Sequence, residues 1–512
     1  MACIQGLHRN LGDRNSSIHR DGIESLCKTE DLEKCVAESE CLSSTADNGE
    51  PAQREPDEGR WAPVLRNLLE DKMAGTPKPE NISTRFNKIA KLAKEAPDMA
   101  FKTLAHHIDV ELLHEAYRLT NKSGAVGIDG QTAKSYAENL EVNLQSLLNR
   151  FKSGTYKATP VKRAYIPKAD GNNRPIGIPT FEDKILQRAV TMVLEAVYEQ
   201  DFLDCSYGFR PKRSAHQALD ALWQGTMKFN GGYVLELDIK NFFESLKYHH
   251  LRSFLDQRVV DGVLRRTIDK WLKAGVMENG LVTGSKAGTP QGGVISPLLA
   301  NIYLHEVLDV WFETIVKPRL KGKAFLIRYA DDAVLVFEQE EDANKVMGVL
   351  SERFAKYGLT LHPMKTKLIN FQKPKSNNGD KPKSDKGNRS FDFLGFTHFW
   401  GLSRKGNFVV IRKTAKDRLK RAIQAFTSWC QEHRHDPIKE QHEAISLKLK
   451  GHYGYYGITG NSRSIGNYFL QAKQIWEKWL NRRSQRKKNW EWFNELIKAC
   501  PLPVPRIVHS YV

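Results

Sequence analysis

The 512-residue sequence contains no apolar run of the roughly 18 residues that a membrane-spanning helix requires. It has only seven cysteines, none in a Cys-x-x-Cys pair, and no signal peptide at its start. These absences argue against a disulfide-based secreted fold and against a paired-cysteine metal site. We therefore expect reduced thiols, no association with membranes and a location in the cytoplasm.

Acidic residues become scarce towards the end of the chain. The whole sequence has 78 Lys+Arg and 60 Asp+Glu, a net charge of +18, and residues 401–512 have 22 against 8, a net +14. Residues 1–60 have 7 against 13, a net −6. Basic residues interleaved with aromatics indicate a polyanionic partner, nucleic acid before membrane. The alternative is an ordinary solvated surface whose charge serves solubility.

Composition and periodicity divide the chain into four parts. Residues 1–60 lack apolar periodicity and are predicted to be a disordered acidic extension. Residues 61–160 have helical periodicity, and residues 161–400 mix helices with β-hairpins at 161–178 and around residues 330–332. Residues 401–512 are predicted to form a basic helical domain. The pattern indicates an α+β core followed by a helical domain.

The chemistry centres on three aspartates at strand ends. Asp331 and Asp332 lie between the apolar segments KAFLIRY and AVLVFE, at the predicted tip of a hairpin, and Asp238 ends the apolar run YVLEL. Neighbouring carboxylates repel each other unless a cation lies between them, and Mg²⁺ prefers such oxygen ligands. Three acids can hold two metal ions for nucleotidyl transfer. The alternative is that Asp331 and Asp332 only stabilise an exposed turn.

Motifs in order along the chain give these acids a context. They include GAVGIDG (124–130), IPKADGNNRPIGIP (166–179), SYGFRPKRSAHQAL (206–219), LDIKNFFESL (237–246), AGTPQGGVISPLLANIYLHEVLD (287–309), RYADD (328–332) and FLGF (393–396). From about residue 109 onwards the sequence resembles the reverse transcriptase/maturase proteins encoded by bacterial group II introns. The resemblance implies a right-hand polymerase: fingers, a palm with an antiparallel sheet, and a helical thumb/maturase domain.

The resemblance also implies roles for individual residues. Asp238, Asp331 and Asp332 would be catalytic and, with Ile239, would hold two Mg²⁺ ions. Lys168 and Arg174 would grip the incoming triphosphate, since Arg binds phosphate oxygens bidentately and Lys acts as a point charge. Phe242 or Phe243 would exclude a ribose 2′-hydroxyl, the other being core, and Gln291 would line the nucleotide pocket. Solvated cations and an ordinary tight turn are the alternatives for these motifs.

Two basic groups are predicted to bind RNA. Arg210, Lys212 and Arg213 could touch template phosphates, with structural ion pairs as the alternative. The second group lies beside four tryptophans, of which at least two are expected in the thumb core, because cations and flat rings suit phosphates and bases. It comprises Arg482, Arg483, Arg486, Lys487 and Lys488.

The expected function is RNA-directed DNA synthesis, with binding of the intron RNA to assist splicing and retromobility. The expected partners are an RNA template, intron RNA, a DNA primer or target, and dNTPs, with association with the nucleoid when DNA is bound. The chain stops at Val512 without the cysteines of an HNH endonuclease domain, so none is expected. Two alternatives remain: a stand-alone host reverse transcriptase in defence or repair, and an RNA-binding maturase that only assists splicing. The sequence does not predict an oligomeric state.

Overall fold

The computed structural model describes residues 79–167, 173–278, 281–283, 292–374, 389–484 and 488–510. The predicted acidic extension, residues 1–60, lies outside the described residues. Where it is described, the chain has the mixed α+β architecture expected from the sequence, with a polymerase-like arrangement of sheets followed by a helical region.

The described chain begins with helices, as the periodicity predicts. Asp109 caps the second of them, because its side chain accepts a hydrogen bond from the Leu112 N–H, and Gly154 ends the fourth in the left-handed conformation. Their apolar faces pack in one core with the long helix α5. These helices are α1 (Pro79–Glu95), α2 (Val110–Leu119), α3 (Ala133–Ala137), α4 (Leu140–Ser153) and α5 (Phe181–Tyr198).

The first sheet has the strand order β2-β1-β4-β5. The predicted hairpin at 161–178 is confirmed, with Ile166 opposite Arg174 near its tip, and the tip itself lies outside the described residues. A parallel pairing of β1 with β4 joins the hairpin to a second one. The strands are β1 (Val161–Pro167), β2 (Asn173–Ile178), β4 (Val276–Glu278) and β5 (Leu281–Thr283).

The second sheet is antiparallel, with the order β6-β7-β3-β8. The two strands that flank Ala330 and Asp331 are largely buried, and the hairpin predicted around residues 330–332 is confirmed. The strands are β3 (Tyr233–Leu237), β6 (Ala324–Tyr329), β7 (Asp332–Phe337) and β8 (Lys367–Asn370). Helix α6 (Ala215–Lys228) precedes β3, and the helices that follow are α7 (Phe242–Ser245), α8 (Tyr248–Arg258), α9 (Gly262–Lys273), α10 (Ser296–Leu304) and α11 (Glu340–Lys356).

A third sheet joins the core to the helical region. The FDFLGFTHFW segment, predicted to have strand character, contains two strands, β9 (Ser390–Phe393) and β10 (Phe396–Leu402), because Leu394 and Gly395 turn the chain with φ of 48° and 78°. Strand β10 pairs along its whole length with β11 (Phe408–Thr414). The predicted boundary at residue 400 therefore falls inside a sheet, and a boundary after Thr414 would keep that sheet whole.

The basic segment is helical, as predicted. Its helices enclose a separate core that includes Cys430, Trp476 and Phe493, and the described cysteines (Cys205, Cys430 and Cys500) are buried and form no disulfide with one another. No helix among the described residues combines the length and the apolarity needed to cross a bilayer. The helices are α12 (Lys416–Glu432), α13 (Ile438–Tyr456), α14 (Ser462–Leu480) and α15 (Trp490–Ala499).

Two helical glycines make a matched test of this packing. A Cβ at Gly348, in α11, would meet no atom within 4 Å, whereas a Cβ at Gly225, in α6, would lie 2.3 Å from Cζ of Phe325. We expect Gly348→Ala to raise the free energy of unfolding by about 1 kcal/mol, the difference in helix propensity. Gly225→Ala should lower it by about 1–3 kcal/mol, because the ring must move. Urea unfolding measures the free energy of unfolding of both variants. Changes of the same sign would contradict the packing around Gly225 and Gly348.

Candidate active site

The Tyr329-Ala330-Asp331-Asp332 motif forms the connection between β6 and β7. Tyr329 pairs with Asp332, so Ala330 and Asp331 make a two-residue turn, and Ala330 has φ of 57°. A turn of this kind requires a positive φ that a residue with a side chain adopts only at a cost. The two carboxylates are thereby placed at one end of the second sheet, Asp331 half-buried and Asp332 exposed.

Strand β3 brings the third carboxylate to the same end. The β3–β7 register runs from Tyr233 opposite Phe337 to Leu237 opposite Ala333, so its continuation sets Asp238 opposite Asp332. The backbone beyond Asp238 is held as well, since its carbonyl accepts a hydrogen bond from the His362 N–H at 2.8 Å. Ile239, the fourth predicted metal ligand, follows directly, is buried, and bridges to Leu361.

Arg328 fixes the backbone of the turn that carries Asp331 and Asp332. This side chain is fully buried, and all five of its N–H groups are used. Two of them meet the equally buried Asp309 at 2.8 and 2.6 Å, and one meets the carbonyl oxygen of Ala330, at the centre of the turn, at 2.9 Å. The remaining two bind Asn301 and Ser206. Arg328 therefore ties the turn to two other segments of the chain, the one that holds Asn301 and Asp309 and the one that holds Ser206.

The segment that holds Asp309 has an unusual backbone. Helix α10 continues into π-helical turns at His305–Asp309 and Trp311–Val316, and such turns often occur at functional sites. The backbone at Gly208 also packs against the turn, because a Cβ at this position would lie 2.3 Å from the Ala330 nitrogen. The sequence analysis identified neither Asp309 nor Arg328 as a site residue. The signal was available: an arginine inside an apolar strand must have a buried counter-ion.

The charges around Asp331 are balanced by cations. Burial raises the pKa of Asp331 and the charge of Asp238 raises it further, while Arg174 and Arg328 lower it. Asp238 itself forms an ion pair with Lys365, whose Nζ lies 3.0 Å from Oδ2. Lys365, another residue that the sequence analysis did not identify, thus provides positive charge next to a predicted metal ligand.

The donor set suits a hard divalent cation. Asp238 lies close enough to Asp331 for its charge to raise the pKa of Asp331, and the ligand atoms of both are carboxylate oxygens, which Mg²⁺ prefers. Within the described ranges, no three His, Cys, Asp or Glu side chains converge on a single point as metal ligands do. The contact between Lys365 and Asp238 occupies one of the carboxylates in this conformation. The residues therefore fit a divalent metal by their chemistry and by their position at one sheet end.

Of the five residues predicted to bind the nucleotide, three are described: Arg174, Phe242 and Phe243. Arg174 is exposed on β2 and near enough to Asp331 to lower its pKa. Phe242 is buried and Phe243 is half-buried, so Phe242 is the core residue of the pair. Lys168 and Gln291 lie outside the described residues.

Comparison with known proteins agrees with this geometry. Residues 166–398 match the family model described as reverse transcriptase (RNA-dependent DNA polymerase). Protein YkfC of Escherichia coli is 35% identical over 287 residues, which are 50% of this chain and 75% of YkfC. The group II intron-encoded protein LtrA of Lactococcus lactis is 38% identical over 228 residues, 43% of this chain and 37% of LtrA.

The chain belongs to the reverse transcriptase family. The predicted resemblance to group II intron-encoded members is confirmed by LtrA, and the putative COX1/OXI3 intron 1 protein of Saccharomyces cerevisiae is 28% identical over 271 residues. The chain spans about a third of the length of these two intron-encoded relatives. As a family member it is an RNA-directed DNA polymerase that depends on a divalent metal.

One predicted RNA contact of this reverse transcriptase needs correction. Arg210 is buried, pairs with Glu199 at 3.0 Å, and donates to the carbonyl oxygens of Leu203 and Ser206, both at 2.8 Å. It therefore forms the structural ion pair that was the alternative to template binding. Arg213 is partly exposed and pairs with Asp204, whereas Lys212 is exposed.

In the basic group near the C-terminus, some cations make structural contacts and others are exposed to solvent. Arg482 is exposed and lies 5.1 Å from the ring centroid of Trp479, whereas Arg483 donates to the carbonyl oxygen of Asp436 at 3.0 Å. Trp476 is fully buried in the helical core, and Trp479 and Trp492 pack against that core, which confirms the expectation for at least two tryptophans. Lys488 lies over the ring of Trp492, and Arg486 and Lys487 are outside the described residues.

The buried ion pair gives the first test of the site. We expect Asp309→Asn to lower the free energy of unfolding by about 3–5 kcal/mol, because it leaves the buried Arg328 charge without a counter-ion. Glu341→Gln is the matched control, since it breaks an exposed pair with Lys321 and should cost under about 1 kcal/mol. Denaturant unfolding measures both, and equally small losses would show that the pair does not hold the turn.

Proposed function

We propose that this reverse transcriptase extends a DNA primer along an RNA template with two Mg²⁺ ions held by Asp238, Asp331, Asp332 and the backbone of Ile239. The observation that carries the proposal is the meeting of Asp238 with the Asp331–Asp332 turn at one end of the second sheet. On this proposal the first sheet belongs to the fingers, the second is the palm, and the helices after Thr414 form the thumb.

The reaction joins the primer to the incoming nucleotide. The primer 3′-oxygen attacks the α-phosphorus of a dNTP, the new O–P bond forms, and the bond to the β-phosphate oxygen breaks to release pyrophosphate. Bound Mg²⁺ would favour the 3′-alkoxide and neutralise the charge on the leaving pyrophosphate. The protein holds the carboxylates that receive the metal in a fixed position, since the Ala330 carbonyl is tied to Arg328. Lys365, now paired with Asp238, would have to leave that carboxylate for it to hold a metal.

Selection of the nucleotide is proposed to lie with Arg174 and Phe243. Arg174 is exposed on the strand that faces Asp331 and can bind phosphate oxygens bidentately. Phe243 keeps an accessible surface, while Phe242 is buried, so Phe243 is the member of the pair that can face the sugar. Lys168 and Gln291 are proposed to complete the pocket on the strength of their motifs.

We further propose that the helices after Thr414 bind intron RNA and that the protein assists splicing and mobility. Similarity to the intron-encoded LtrA supports this, as does the net charge of +14 on residues 401–512. Arg482 and Lys488, each over a tryptophan ring, are the described cations best suited to an RNA surface, because their charges and the adjacent rings can meet phosphates and bases.

The polymerase proposal is tested by removing the acids of the turn. The double variant Asp331→Ala with Asp332→Ala should abolish extension of a DNA primer on an RNA template, because both carboxylates leave the metal site. Its affinity for RNA should stay within about twofold of wild type, as measured by filter binding, since the thumb is untouched. Extension that persists in this variant would refute the metal assignment.

RNA affinity should depend steeply on salt. For the double variant Arg482→Gln with Lys488→Gln, we expect the slope of log affinity against log salt to decrease by about 2, one for each lost phosphate contact. Lys321→Gln with Lys498→Gln is the matched control, since it removes the same charge from lysines that pair with Glu341 and Glu495. An equal decrease in both double variants would contradict a specific role for Arg482 and Lys488.

A further inference from the structure

A buried glutamine of helix α5 reaches across to the segment that follows the candidate nucleotide-pocket motif. Gln187 is 4% exposed, and its Oε1 accepts hydrogen bonds from the Val294 N–H at 2.8 Å and the Ile295 N–H at 3.5 Å. The partners are 107 and 108 residues away along the chain. Buried backbone N–H groups outside a helix or sheet must find such an acceptor, so this contact fixes the local path of the chain.

The segment that Gln187 holds is in contact with the fingers sheet. Gly292 has φ of 112°, and a Cβ there would lie 2.6 Å from the Gly177 carbonyl oxygen and 2.7 Å from Cγ2 of Ile176. The backbone therefore passes directly against β2, and only glycine permits that approach. Strand β2 is also the strand that carries Arg174.

The same segment leads into the helix that supports the acids. Helix α10 begins at Ser296, and Ile295, which precedes it, makes no side-chain cap. Asn301 of this helix binds Arg328, and the helix continues to Asp309. Gln187 thus holds a segment that lies against the strand bearing Arg174 and leads into the helix that supports the Asp331 turn.

From these contacts we infer that Gln187 is a positioning residue for the incoming nucleotide. It touches neither substrate nor metal, and it acts by holding residues 292–295 against β2, which sets the distance between Arg174 and the catalytic acids. The inference rests on the proposed polymerase function and adds a residue that determines nucleotide affinity. A loss of this contact should therefore act on the KM for dNTP more than on kcat.

The test compares three variants in single-nucleotide incorporation on an RNA template with a DNA primer. Gln187→Met keeps the length and burial of the side chain but removes the acceptor, and Gln187→Glu keeps an acceptor oxygen at the same reach. Gln441→Met is the matched control, because Gln441 is also a buried helical glutamine that accepts a hydrogen bond, from Trp476 Nε1 at 3.0 Å, in the thumb core. Thermal unfolding measures whether each variant is folded at the assay temperature.

We expect Gln187→Met to raise the KM for dNTP about tenfold, as a buried N–H left without its acceptor would, with kcat within about threefold of wild type. The KM of Gln187→Glu for dNTP should lie within about threefold of the wild-type value, and so should the KM of Gln441→Met. If Gln187→Met does not fold, Gln187→Asn, which is too short to reach Val294, replaces it with the same expected rise.

Two results would overturn the inference: an unchanged KM in folded Gln187→Met or Gln187→Asn, and an equal rise in Gln441→Met. The wild-type protein separates this from the parent proposal. If wild type extends the primer and the Gln187 variants keep its KM, only the positioning role fails. If wild type does not incorporate dNTP at all, the proposed polymerase function itself fails.

Discussion

The buried ion pair between Arg328 and Asp309 is the interaction on which the site depends. A guanidinium taken out of water is tolerated only when its charge is paired and its donors are satisfied, and here all five donors have acceptors. One of those acceptors is the carbonyl of Ala330, in a turn whose positive φ is costly for a residue with a side chain. The buried charge of Arg328 therefore stabilises a strained turn, and that turn carries two of the three acids.

Much of the fold was predictable because its signals are local. Apolar runs that end in acids predict strands that deliver carboxylates to one sheet end, and this identified Asp238, Asp331 and Asp332 as one group. The partners of those strands are not local. Asp309 and Asn301 come from a helix 19 and 27 residues before Arg328, and Ser206 lies 122 residues before it. Periodicity cannot pair residues over such distances. The turn inside FDFLGFTHFW was missed for another reason: Leu394 has a left-handed backbone that its own side chain disfavours.

Cations near the site differ in what they can do, although the sequence presents them alike. Arg210 and Arg213 are three residues apart, yet Arg210 is buried against Glu199 and Arg213 is partly exposed beside Asp204. In the thumb, Arg483 is bound to backbone carbonyls while Arg482 keeps an exposed guanidinium. Net charge therefore overstates the surface available to RNA. What remains for a polyanion are the exposed cations that lie against aromatic rings, and these were predictable as a group but not one by one.

The need to balance buried charge also applies at the proposed metal site, where Lys365 pairs with Asp238. Asp238 and Asp331 repel each other, and burial raises the pKa of Asp331 further, so this sheet end requires positive charge. Arg328 supplies part of it and lowers the pKa of Asp331, but it is buried with all its donors occupied, so its position is fixed. Lys365 is 61% exposed, and its ammonium group on a long, flexible stem can leave Asp238 at small cost. The arrangement combines a fixed charge that shapes the turn with an exposed one beside Asp238, a residue proposed to hold the metal.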